Sequence, residues 1–206
     1  MYYKKLLQAY CRSLGFDNTF EKSLEYLRKT QNKNLYCFKK TDLVCIPRVK
    51  TVIKILKGIH FQNLLDIGTG RAVFLFRFHS LFPKIEKIAV DIIDHRVYFL
   101  QAIHDGGCKK IKSLKGDITN MGELKDNCVD VVTILEVLEH LEHPELAAKE
   151  AIRLARVAVI FSVPSKPDDN PEHIQLFTPE TVSALFLGCK VKIQHVPEHI
   201  IGVVFL

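Results

Sequence analysis

The sequence predicts an α/β fold: a doubly wound, seven-stranded sheet, parallel except for an antiparallel C-terminal hairpin, behind a helical N-terminal segment. Three observations carry that prediction. From residue 63 onward, short apolar runs alternate with helical patterns, the rhythm of βαβ units. The first run leads into a tight glycine turn, "LLDIGTGRAVFLF", followed by a helix. Acids stand where the first three runs end, at Asp66, Asp91 and Asp117.

Before residue 60 the chain reads as helices. "YYKKLLQAYCRSLGF" repeats apolar residues near i, i+3 and i+4 and stops at Gly15. Asp17 or Asn18 is placed to cap a second helix ending near Lys29. Pro47 opens a third, "PRVKTVIKILKGI", ended by Gly58. The boundary falls here, with a helical cap over 1–46 and the sheet domain over 47–206. The parallel strands are expected at 63–67, 87–91, 110–117, 129–135 and 157–163, with the clearest helix in "HPELAAKEAIRLAR", 143–156. Thr178 caps a short helix that begins at Pro179. Two strand-like runs flank "PEH" near the end, and so short a link permits only an antiparallel hairpin.

Composition bounds the function. The 206 residues are 48% hydrophobic and 25% charged, an ordinary globular balance. No apolar run approaches the roughly 18 residues that would span a bilayer, and the N-terminus lacks the apolar core of a signal peptide. The six cysteines include no C-x-x-C pair, which argues against a zinc ribbon and for buried, reduced thiols in a cytoplasmic setting. Charge is uneven: residues 1–60 hold 13 Lys/Arg against 4 Asp/Glu, and the rest hold 16 against 19. Five of the six tyrosines also lie in the first 36 residues. Such a segment is either a solvated helical face or a contact for an anionic partner such as RNA, a lipid phosphate or a nucleotide.

The glycine turn admits two ligands. A dinucleotide fingerprint needs a third glycine where Val73 stands, and a β-branched residue fits poorly there. Asp66, two residues before Gly68, would repel a pyrophosphate but attract an ammonium, and S-adenosylmethionine (SAM) carries an α-ammonium. Asp91 is placed to accept bonds from ribose hydroxyls. Asp117, in "KGDI", is placed to meet an adenine amino group.

"LLDIGTGRA", "AVDI", "KGDI" and "VDVVTILEVLEHL", in that order and spacing, resemble the class I SAM-dependent methyltransferases over residues 47–206. The resemblance implies a Rossmann-like fold, with Asp66, Gly68 and Gly70 at the methionine end of SAM. It puts Asp91 and Ile92 at the ribose, Asp117 and Ile118 at the adenine, and Leu135 beside the methyl group. The sequence departs from the family in having Ala72 at the third small position and "LARVAVIF" in place of a Pro-Gly-Gly turn before the fifth strand.

The residues after Leu135 face the reaction. Were 136–143 an α-helix, Glu136, Glu139, His140 and His143 would share one face. His140 is then a candidate base, oriented by Glu136. Alternatively the carboxylates and an imidazole bind Mg²⁺ or Mn²⁺. As the bland reading, Glu136 and Glu139 cap the next helix and His140 merely packs. "EVLEHL" with the later "HIQLFT" also resembles the metal-dependent small-RNA terminal 2′-O-methyltransferases. Their ligands would map onto Glu136, Glu139, His140 and His173. "EVLEH" alone resembles ubiquinone-type O-methyltransferases. His143, before Pro144, reads as an exposed helix start. The expected activity is SAM-dependent methyl transfer to an O or N acceptor, a small molecule or an anion. A nicotinamide-dependent oxidoreductase and a non-catalytic binding domain are the rivals.

Overall fold

The structure is a computed structural model that describes residues 3–38 and 46–206. The end of the expected cap, with Lys39, Lys40 and Cys45, lies outside the described residues. Seven strands form one sheet in the order β3-β2-β1-β4-β5-β7-β6. The chain divides into two compact units, residues 1–45 with 69–115, and residues 46–68 with 116–206.

In the first unit, α1 (Lys4–Ser13) and α2 (Phe20–Lys29) form where the periodicity predicts. Leu6, Leu7 and Tyr10 give α1 its buried stripe. The α2 cap is Thr19, whose side chain accepts from the Lys22 amide, and not Asp17 or Asn18. Asn18 instead accepts from the Thr19 amide, which turns the chain into the cap. Residues 35–38 are also helical. Next along this unit come α4 (Val73–Leu81), β2 (Glu86–Asp91), α5 (Asp94–Asp105) and β3 (Ile111–Lys115), with β2 and β3 parallel. Phe38 stacks on Phe76 at 5.4 Å and meets Phe99 edge-on at 5.5 Å, joining the N-terminal helices to this core.

Gly106, at the end of α5, lies directly against α1. A Cβ there would overlap the Ala9 carbonyl, and Arg12 Nε donates to the Gly106 carbonyl at 2.6 Å. Overpacking a tight contact costs about 1–3 kcal/mol. Gly106→Ala is therefore expected to lower the thermal midpoint by several degrees, with Gly122→Ala, whose Cβ would make only an ordinary contact with Asn120, as a control.

The second unit begins with α3 (Pro47–Lys57), whose buried Val49, Val52, Ile53 and Leu56 keep the helical spacing. The strands β1 (Asn63–Ile67), β4 (Val129–Leu135) and β5 (Ala155–Pro164) pair in parallel. The hairpin of β6 (Val191–Val196) and β7 (His199–Phe205) is antiparallel as expected, but its second strand lies inside. β7 pairs antiparallel with β5, so β7 alone runs against its neighbours on both sides. Gly202 makes this possible: it stands opposite Phe161, and any side chain there would overlap the Phe161 ring.

One further local expectation changes. Residues 136–143 are not an α-helix; a single 3₁₀ turn covers Leu138–His140, and α6 (Pro144–Leu154) begins after it. Where the sequence lacks the Pro-Gly-Gly turn before β5, Ala155 leaves α6 in extended geometry and is already the first strand residue. The short helix α7 (Pro179–Ala184) carries the expected Thr178 cap, completed by Thr181 as a capping box. No helix among the described residues is long and apolar enough to cross a membrane.

Candidate active site

β1 delivers Asp66 into a dry position. The carboxylate is 3% exposed and accepts from Thr133 Oγ1 at 2.7 Å, across the β1–β4 pairing. The next residues abandon extended geometry. Gly68, Gly70 and Ala72 have φ of 65°, 56° and 58°, so three left-handed residues alternate within five positions. Glycine is needed at Gly68 for space as well as for φ, because a Cβ would overlap the Val137 side chain. In the first unit the turn is fastened by Asp91. Its Oδ2 accepts from the Gly70 amide at 2.8 Å, its Oδ1 accepts from the Ile93 amide at 3.0 Å, and Arg96 lies 3.3 Å away.

Asp91 is itself nearly buried, whereas Ile92 beside it is 61% exposed. Asp117 is exposed and lies beyond the end of β3, where its Oδ1 accepts from the Thr119 amide and hydroxyl. Ile118 and Leu135 are buried. Each candidate cofactor residue thus occupies a strand end or the turn just after one.

The four expected ligands, Glu136, Glu139, His140 and His173, separate into two groups. Glu136 has φ 59°, strained for a non-glycine residue, and its amide donates to the Ser162 carbonyl. Its carboxylate is fully engaged. Arg48 Nη1 lies 2.9 Å from Oε2, His199 Nε2 lies 3.1 Å from the same oxygen, and Ser162 Oγ donates to Oε1 at 2.8 Å. Burial pushes the Glu136 carboxyl up, but His199, Arg48 and Ser162 outweigh it and hold it below its ordinary range. The same hydrogen bond to Glu136 raises the His199 imidazole, against burial. Glu136 therefore does not orient His140, and it stands apart from the expected four-ligand set.

The second group is Glu139, His140 and His173, whose donor atoms all lie within 4.8 Å of one another. Glu139 is fully buried, and neither carboxylate oxygen has a hydrogen-bond partner among the described residues. Burial, then the negative charge of Glu136, pushes its carboxyl up to about 8. His140 Nδ1 bonds the Glu172 carbonyl at 2.9 Å, and His173 Nδ1 lies 2.9 Å from Asp168 Oδ1. Both contacts are made when Nδ1 carries the proton, which leaves each Nε2 as a lone-pair donor. His173 Nε2 stands 3.9 Å from Glu139 Oε1, and the two rings meet edge-on at 4.7 Å. The 165–178 loop is held to the turn by the Ile174 amide, which donates to the Glu139 carbonyl at 3.0 Å, and by Gln175, which donates to the Leu141 carbonyl. His143 is the exposed N-cap of α6 and pairs with Glu145.

Sequence reasoning missed Arg48, His199, Ser162 and Asp168. Arg48 carried a readable signal: a cation in the first turn of a helix opposes the helix dipole and implies a nearby carboxylate. The others are ordinary residues whose roles arise only when distant strands pair.

A profile of the methyltransferase domain matches residues 62–188, more than half of the chain, and the chain belongs to that family. A SAM-dependent methyltransferase from Aquifex aeolicus shares the fold with a TM-score of 0.61 and 20% identity, covering 77% of this chain and 96% of that one. A Pyrococcus horikoshii protein superposes with a TM-score of 0.64 at 16% identity, covering 88% and 98%. The methyltransferase domain of the bacterial CtHen1-C gives 0.61 at 19% identity, covering 78% and 97%. No curated protein matches the chain in sequence.

Proposed function

We propose that this chain is a SAM-dependent methyltransferase acting on an acceptor oxygen. The observation that carries the reading is the turn 68–72, with three left-handed residues directly after a buried acid. Such a turn keeps side chains clear of a ligand, while Asp66 supplies the charge an α-ammonium requires. Asp66, Gly68 and Gly70 hold the methionine end, Asp91 and Ile92 the ribose, Asp117 and Ile118 the adenine, and Leu135 lies beside the methyl group. SAM, when bound, supplies a sulfonium-activated methyl group. Transfer from it is an in-line displacement, so the chain contributes mainly alignment.

At the acceptor, His140 is suited to remove a proton. Its Nδ1 is committed to the Glu172 carbonyl, so Nε2 is the basic atom. Glu136, held charged by Arg48 and His199, makes no hydrogen bond to His140 and fixes the start of the turn after β4. A second reading rests on Glu139. A buried carboxylate whose two oxygens are unpartnered among the described residues, beside two imidazoles, forms a one-acid, two-histidine donor set that suits Mn²⁺ better than the oxygen-seeking Mg²⁺. The hydrogen bonds on both Nδ1 atoms are the outer contacts that orient metal-binding histidines. A cation bound there would lower the pKa of an acceptor hydroxyl, and His140 would then be a ligand.

The N-terminal 46 residues belong to the same proposal as the part that meets the acceptor. Within the first unit, Tyr36 lies under the Arg71 guanidinium at 5.1 Å, one residue beyond Gly70. A cytoplasmic setting fits five free thiols among the described residues.

The test is calorimetry with S-adenosylhomocysteine. Binding is expected in the wild type and is lost in Asp66→Ala, while His140→Ala binds normally but transfers no methyl group. Equal binding by Asp66→Ala and the wild type would refute the assignment of the turn.

A further inference from the structure

We infer that the N-terminal helical segment carries a nucleotide-binding cleft separate from the methyl-transfer site, built to take the phosphate and base of a nucleoside phosphate. The cleft has a volume of about 320 Å³ and lies where the chain turns back after α2. Its polar lining is Arg28, Gln31, Asn32 and Lys33, and Leu27, Leu35 and Tyr36 complete it.

Charge selects an anion. Arg28, Lys33 and Arg71 are exposed, and none forms an ion pair among the described residues. The nearby acid is committed: Glu25 pairs with Lys29 at 2.7 Å. Among the described residues no carboxylate lines the cleft. The end of α2 would repel an anion if its carbonyls were open, but they are spent. The Thr30 amide donates to the Tyr26 carbonyl, the Asn32 amide to Leu27, and the Gln31 amide to Arg28.

Shape selects a flat ring. Tyr36 is 52% exposed and has the Arg71 guanidinium over its ring, so the exposed aromatic surface lies among three cations. Stacking on such a ring and phosphate contact by flanking Lys/Arg are the two parts of base-independent nucleotide binding. The segment that carries the cleft residues is preorganised. Asn34 Nδ2 donates to the Tyr10 hydroxyl at 2.9 Å, the Asn34 amide donates to Asn32 Oδ1 at 3.0 Å, and Gln31 is fixed at φ 50°. Because Arg71 belongs to the turn 68–72, an acceptor gripped here would be tethered near that turn within the first unit. Binding itself does not depend on methyl transfer.

The ligand is either a free mononucleotide or the terminal nucleotide of a single strand, and fluorescence anisotropy with a labelled short oligouridylate separates them. Uridine probes keep the measurement apart from the proposed adenosine site. The wild type is expected to bind, with uridine monophosphate competing better than uridine or inorganic phosphate. Competition equal to that of unlabelled oligouridylate assigns a free mononucleotide; weaker competition assigns a strand end. Arg28→Glu with Lys33→Glu is expected to reduce the salt slope by about 1.4, at about 0.7 per single-strand phosphate contact. Tyr36→Ala is expected to weaken binding about fivefold or more, and Tyr36→Phe to restore it. These residues are exposed, so circular dichroism should be unchanged. Failure to bind, equal competition by uridine or phosphate, or wild-type affinity in these variants would overturn the assignment.

Discussion

Gly68→Ala is expected to abolish detectable S-adenosylhomocysteine binding while Asp66, Gly70 and Asp91 remain in place. Two effects combine at this position. The residue is held at φ 65°, where a side chain costs about 1–2 kcal/mol. The added Cβ would also overlap Val137, on the segment between β4 and the 3₁₀ turn. The overlap is with a γ-methyl group of Val137, so that branched side chain or one of the two segments must move. The double variant Gly68→Ala/Val137→Ala separates the effects. It removes the overlapping methyl group and leaves the φ cost, so binding should return to about tenfold below wild type. If the double variant stays as inactive as the single one while folded, the overlap is not the cause.

The second large effect concerns Glu139. Its carboxyl is pushed up to about 8, whereas the ordinary value is 4.5. Between those values the folded protein binds more protons than the unfolded chain, so stability falls as pH rises through that window. A divalent cation reverses the preference, because it needs the charged carboxylate. Mn²⁺ at about a hundredfold above its Kd should stabilise by about 2.7 kcal/mol, which is about 5–10 °C in thermal midpoint for a chain of this size. Glu139→Gln is expected to lose that shift and to flatten the fall in metal-free stability between pH 4.5 and 8. Glu136→Gln, outside the donor set, should retain the shift. A thermal midpoint unmoved by Mn²⁺ in the wild type at pH 8 would exclude the cation and leave His140 as the base.

Most of the sheet was legible because strand and helix periods are local. β1 and β4 appear where the apolar runs lie, and the glycine turn announces itself through residues that tolerate left-handed geometry. The stretch after β4 was legible in composition but not in shape. An α-helical reading puts Glu136 and His140 on one face, whereas the left-handed Glu136 turns its carboxylate toward Arg48 and His199. Those two partners are 151 residues apart, and no local pattern links them. His173 was legible as a chemical type at a suggestive spacing. Its Asp168 partner and the Glu172 carbonyl on His140 were not, since both depend on how the 165–178 loop folds back. The position of β7 between β5 and β6 likewise depends on Gly202 facing Phe161, a long-range fit.

The junction at Leu154 and Ala155, where α6 becomes β5 without a loop, bears on how such a protein can diversify. With no slack there, inserting one residue would rotate every β5 side chain to the opposite face of the sheet. Ser162 would turn away from Glu136, and Phe161 would lose its place over Gly202. Length changes should therefore be purged at this joint. The 165–178 loop begins just after the same strand and is joined to the turn by single hydrogen bonds, so it can lengthen or shorten without disturbing that register. New acceptor preferences would then arise by remodelling the loop around a frame whose length is fixed.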